Sequence, residues 1–162
     1  MRRFLVLGLA VLLALPVLLA GCGDETENTQ TFETPEGEVT VRENAPPGES
    51  ELKARVYPGA DYIEGTANSS SVSGERGDIT YASASFMTDD AYDAVSDFYR
   101  GELGEPYITS EEDEGAQAVW VRNNEDQTVT SVTVRENSPE QGKVTIDIST
   151  VGGTGIPSIP GP

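Results

Sequence analysis

The 162 residues carry 28 acidic side chains against 10 basic ones, a formal net charge of −18, with no histidine and a single cysteine, Cys22. Such a balance excludes nucleic acid as a partner, because phosphate binding requires clustered Lys and Arg whose counterion release drives association. Without histidine the most frequent general base and metal ligand are both missing, and one cysteine permits no internal disulfide, so stability must come from packing.

At the start of the chain, Arg2 and Arg3 precede an apolar run from Phe4 to Ala20 that is broken only by Gly8 and Pro16. A membrane-spanning helix needs about 20 apolar residues; this run is shorter, holds a proline and ends in small residues, the pattern of a removable export signal over residues 1–21. The sequence Leu19-Ala20-Gly21-Cys22 resembles the lipobox of bacterial lipoproteins. That resemblance implies cleavage between Gly21 and Cys22, acylation of the Cys22 sulfur, and attachment to the lipid bilayer of the cell envelope, at the outer membrane or the outer face of the plasma membrane. Each buried methylene contributes about 0.8 kcal/mol, so two or three acyl chains make a stable anchor. Cleavage would leave 8 basic against 28 acidic residues.

Residues 22–50 are dominated by Glu, Thr, Asn, Gly and Pro. A segment with so little to bury does not offset its ordering entropy, and the composition predicts a lipidated, flexible acidic linker. Inside it, Val39-Thr40-Val41-Arg42-Glu43-Asn44-Ala45-Pro46 is nearly repeated at Val132-Thr133-Val134-Arg135-Glu136-Asn137-Ser138-Pro139. Two similar strand ends running into Pro-bearing turns explain the match, the earlier one as an extra edge strand; a duplicated functional element is the alternative. One pair falls far short of a solenoid.

The folded body is expected over residues 51–151. Leu52 to Tyr57 reads as a strand stopped by Pro58-Gly59, which suits a type II turn. Asn68 to Ser73 reads as a Ser-rich loop, and Ile79 to Met87 as a strand with Ala82, Ala84 and Phe86 on one face. A helix follows, capped by Thr88, with Asp89 and Asp90 in its first turn, closed by Gly104 and Pro106, and striped by Ala91, Tyr92, Val95, Phe98, Tyr99 and Leu103. Three strands complete the body: Ala116 to Arg122, Thr128 to Arg135, and Val144 to Val151, where Val144, Ile146 and Ile148 alternate with polar residues. The expected fold class is α+β, a single helix packed on an antiparallel sheet of about four to five strands. Residues 152–162, with four Gly and three Pro, read as a disordered tail.

Val56-Tyr57-Pro58-Gly59-Ala60, Phe86-Met87-Thr88-Asp89-Asp90 and Asp97-Phe98-Tyr99-Arg100 together resemble small bacterial envelope lipoproteins of uncharacterised function, over roughly residues 52 to 150. The resemblance implies no reaction, cofactor or ligand.

Chemistry-bearing patterns are sparse. Glu111-Glu112-Asp113-Glu114-Gly115 is acidic but lacks the alternating ligand positions of an EF-hand. Asp93 and Asp97, one turn apart, read as a solvated helix face. Without histidine only a Ser–Lys pair is left for nucleophilic catalysis, and neither Lys53 nor Lys143 stands in a serine motif. Gly152-Gly153-Thr154-Gly155 opens no helix, so it is not a phosphate loop. No catalytic residue, metal or cofactor is therefore expected. Tyr57, Tyr62 and Tyr81 are candidates for an interaction surface, with core packing as the alternative for each, and Trp120 should face the helix if it shares a face with Ala116 and Ala118. The expected function is a non-enzymatic, membrane-anchored binding or interaction module for an envelope protein partner, using a sheet edge or uncovered sheet face. The alternatives are a small carboxylate- or cation-dependent hydrolase and a purely structural envelope component.

Overall fold

The computed structural model describes residues 28–35, 37–74, 77–112, 115–136 and 142–154. Gly21 and Cys22, and with them the cleavage and acylation site, lie outside the described residues. The elements follow in the order β1 (Asn28–Thr34), β2 (Gly37–Glu43), α1 (Glu49–Leu52), β3 (Asp61–Tyr62), β4 (Asn68–Gly74), β5 (Gly77–Thr88), α2 (Tyr92–Leu103), β6 (Ile108–Glu112), β7 (Gly115–Asn123), β8 (Thr128–Arg135) and β9 (Val144–Gly153). All strands join one antiparallel sheet in the spatial order β1-β2-β4-β5-β9-β8-β7-β6, with β3 beside β5.

The apolar alternation of β9 organises the core. Ile148 lies between Ala84 and Val132, and Ile146 between Phe86 and Val134, in the antiparallel register. Trp120 and Ala118 extend the same two cross-strand rows onto β7. These residues are all buried and form one cluster with Leu52, Val95 and Tyr99 from the two helices. Both helices therefore cover one face, here called the inner face. Helix α2 leaves the centre of the sheet, packs over β7 and β8, and delivers the chain to the far edge at β6. The Trp120 indole N–H donates to the Gly104 carbonyl at 2.9 Å, which ties the end of α2 to the sheet.

Helix α1 is only four residues long, too short to persist without tertiary contacts. Its Leu52 is completely buried, and the Thr150 hydroxyl donates to the Leu52 carbonyl at 2.5 Å while lying 3.0 Å from the Thr130 hydroxyl. Thr150→Val keeps the shape and leaves that buried carbonyl unmatched. A loss of about 1–3 kcal/mol is expected, read as a lower urea midpoint.

The expectation of a single helix on four to five strands is corrected by these nine strands and two helices. The linker assigned to residues 22–50 is corrected over its described part: 28–34 and 37–43 pair as β1 and β2, and 49–50 open α1. Neither strand contributes to the core cluster; the pair is held by the ladder to β4, which composition does not register. The Ser-rich loop at 68–73 is β4, wedged between β2 and β5, where small hydroxyl side chains suit a half-exposed interior strand. The expected strand at 52–57 is not formed: Leu52 ends α1, which closes at Lys53 with a left-handed φ of 53°, and residues 54–57 continue outside any helix or strand. Helix α2 begins at Tyr92 behind Ala91; the Thr88 hydroxyl accepts from the Asp90 N–H at 3.2 Å, ahead of the helix. Finally, β9 runs through Gly152 and Gly153, so the tail boundary at 152 is also corrected, while 155–162 lie outside the described residues. Gly152 is buried, and a Cβ there would meet Thr128 Cγ2 at 2.5 Å and Thr80 Oγ1 at 2.9 Å.

Candidate functional site

Along the inner face the side chains grade from apolar to hydroxyl. Beyond the rows of Phe86 and Ala84 comes Ala82–Thr150–Thr130, and then Thr80–Gly152–Thr128. On the other side of β5 the last row continues through Ser71 and Thr40 to Thr31. One line of hydroxyls thus crosses β1, β2, β4, β5 and β8, interrupted at β9 only by Gly152, with neighbouring strands about 4.8 Å apart. Helix α1 stops short of this end of the sheet. The result is an open groove of about 410 Å³ with Thr40, Ser69, Ser71 and Thr80 along its floor and Ser50, Glu51 and Lys53 on its wall.

The charges at the groove are held in pairs. Arg42 reaches Glu51 at 2.6 Å and donates through Nε to the Ser69 hydroxyl at 3.2 Å. Lys53 Nζ lies 2.9 Å from Asp126. The Asp126 carboxyl is held down to about 2, first by the hydrogen bond from the Thr128 hydroxyl and then by Lys53. Thr40 exchanges a hydrogen bond with Thr31 at 3.2 Å. By contrast, the hydroxyls of Ser71 and Thr80, in the middle of the row, have no hydrogen-bond partner among the described residues, so their bonding capacity is open to a ligand or water.

The three tyrosines singled out from the sequence do not share a surface. Tyr57 packs edge-on against Phe98, with ring centres 5.3 Å apart, and donates its hydroxyl to Asp90 at 2.8 Å, a bond that raises its pKa. Tyr62 rests on Phe86, and its hydroxyl accepts from the Ala67 N–H at 3.0 Å. Both belong to the packing around the core. Tyr81 alone is exposed on the opposite, open face of the sheet. Trp120 faces the helix, 5.8 Å from the Tyr99 ring, whose burial raises its hydroxyl pKa.

Carboxylates gather elsewhere without converging. Asp61, Asp89 and Asp90 line a shallow depression with Lys143, which pairs with Asp89, and no grouping of three potential metal ligands occurs among the described residues. Asp93 is exposed and Asp97 pairs with Arg100 at 2.5 Å. Glu111 and Glu112 belong to β6 rather than to a free acidic loop.

The groove escaped the sequence because its floor comes from strands that composition hides. Its signal was a hydroxyl at every second position: Thr29 and Thr31, Ser69 and Ser71, Thr128 and Thr130. Compared with known protein families, curated proteins and solved structures, the chain matches none at a significant level.

Proposed function

We propose that the chain is an envelope lipoprotein, held at the bilayer through an acylated Cys22, whose body is a binding module, and that the inner-face groove takes a neutral polyhydroxylated ligand such as a glycan strand. The supporting observation is the line of hydroxyls from Thr40 through Ser71 to Thr80, flanked by the Arg42–Glu51 and Lys53–Asp126 pairs. Hydroxyls that both donate and accept match the alternating donors and acceptors of a sugar. Paired charges at the rim add directional contacts, and Glu33, Glu38 and Asp78 in the next inner-face row disfavour an anionic ligand.

The test is thermal melting of the acylated chain in detergent with increasing chito-oligosaccharide, a β-linked N-acetylglucosamine oligomer. A ligand at 100 times its Kd stabilises the native state by about 2.7 kcal/mol, so the midpoint must climb with concentration. Ser71→Val and Thr80→Val, both at partly or fully solvent-exposed positions, should abolish the climb while leaving the ligand-free midpoint close to unchanged. A flat titration, or one that the two valines do not alter, would refute the groove as a sugar site.

A further inference from the structure

We infer that the open face of the sheet docks on the bilayer to which the chain is tethered, an inference that rests on acylation of Cys22. Two adjacent cross-strand rows on that face carry no charge, the first apolar across β1 to β5 and the second apolar except for Gln30 and Ser70. Phe32, Val39, Val72 and Ile79 face one another across β1, β2, β4 and β5. In the next row, Tyr81 and Val151 are partners on β5 and β9. Phe32, Ile79 and Tyr81 are 50%, 47% and 40% exposed, so large apolar side chains lie open to solvent side by side.

Charge is segregated away from this patch. In a chain with 28 acidic residues, neither row holds a charged strand residue. Strand alternation puts the neighbouring Glu33, Glu38 and Asp78 on the inner face, since each lies one residue away from Phe32, Val39 or Ile79. Of the open-face acids on these strands, Glu43 stands in the row next to that of Tyr81, on β2 at the level of Asn28, while Asp61 and Asp147 lie further along the sheet and Asp147 is engaged by Arg135. A net negative protein meets a headgroup surface least unfavourably through such a charge-free apolar area, and Phe and Tyr rings suit the interfacial zone.

The tether has the right length. Cys22 and Asn28 are six residue steps apart, at most about 21 Å of extended chain, and Phe32 lies about 13 Å further along β1. The apolar rows therefore lie within reach of the membrane that holds the acyl chains. Two rows across four or five strands cover on the order of a few hundred Å², well below the roughly 800 Å² per partner of a stable protein–protein interface. A tethered surface is held to its target at a high effective concentration and manages with less. Docked in this way, the chain presents the helices and the hydroxyl groove away from the lipid.

Cys22 is the only cysteine, so in the acylated chain Ile79→Cys creates a unique thiol for a nitroxide label; Asp93→Cys, on the exposed side of α2, is the aqueous reference. Both labelled chains are placed in phosphatidylcholine nanodiscs holding one copy each, and accessibility to oxygen and to a water-soluble nickel chelate is measured by electron paramagnetic resonance. The label at 79 should show several-fold less contact with the nickel chelate than the label at 93, and more with oxygen. Equal nickel access at both positions in a chain shown by intact mass to be acylated would overturn docking alone. Protection that appears only in discs holding two copies would overturn the bilayer assignment in favour of a second chain. An unmodified thiol at Cys22 would overturn the anchoring reading and this inference together.

Discussion

Trp120→Ala is expected to lower stability by about 3–5 kcal/mol, the range for deleting a fully buried aromatic side chain. The ring is 1% exposed, stacks obliquely on Tyr99, and its N–H holds the Gly104 carbonyl where α2 ends. Truncation thus opens a cavity between sheet and helix and also unties the turn that leads into β6. A fall in the urea midpoint with an unchanged m-value reports the loss. Trp120→Phe, which keeps most of the volume and removes the N–H, should fall between wild type and alanine. An alanine variant as stable as the parent would show that α2 does not rest on β7 as described.

Ile148→Ala should cost about 2–5 kcal/mol. Ile148 is 1% exposed at the centre of the sheet, between Ala84 and Val132. Its alanine neighbour has no side-chain length with which to fill the space, so the cavity stays open. Val151→Ala, three residues further on, is the internal control. Its side chain is on the open face at 36% exposure, and surface positions of this kind change stability by no more than about 0.5 kcal/mol. The difference between the two variants measures how one-sided the core is.

The half of the fold that builds this core was legible in the sequence. The limits of β8 match the predicted strand, β7 and β9 differ from prediction by one or two residues, and the stripe of α2 contains Val95 and Tyr99, both fully buried. There the apolar residues keep a period of two or of 3.6 and face a single partner. The other half was not legible, because β1, β2 and β4 hold few apolar residues, Phe32, Val39, Val41 and Val72, and none of them enters the core. The repeat makes the point. In β8, Val132 and Val134 point into the core; in β2 the same letters place Val39 and Val41 on the open face, and Thr40 and Arg42 at the groove. One sequence serves two opposite orientations, and only the neighbouring strands decide which. The candidate site failed to show for the same reason: Thr40, Ser71 and Thr80 become neighbours only through pairing, while the tyrosines, conspicuous by type, turned out to be mostly packing.

That twofold use of one tract bears on how copies of the chain meet while unfolded. Strand partners are chosen by alternation and backbone complementarity, so the slot between β7 and β9 accepts a Val-Thr-Val-Arg tract from either position. In a concentrated refolding mixture one molecule's early tract competes for the vacancy in another, and mispaired oligomers are the expected product. Monomer yield is then governed by dilution during refolding rather than by how stable the finished molecule is.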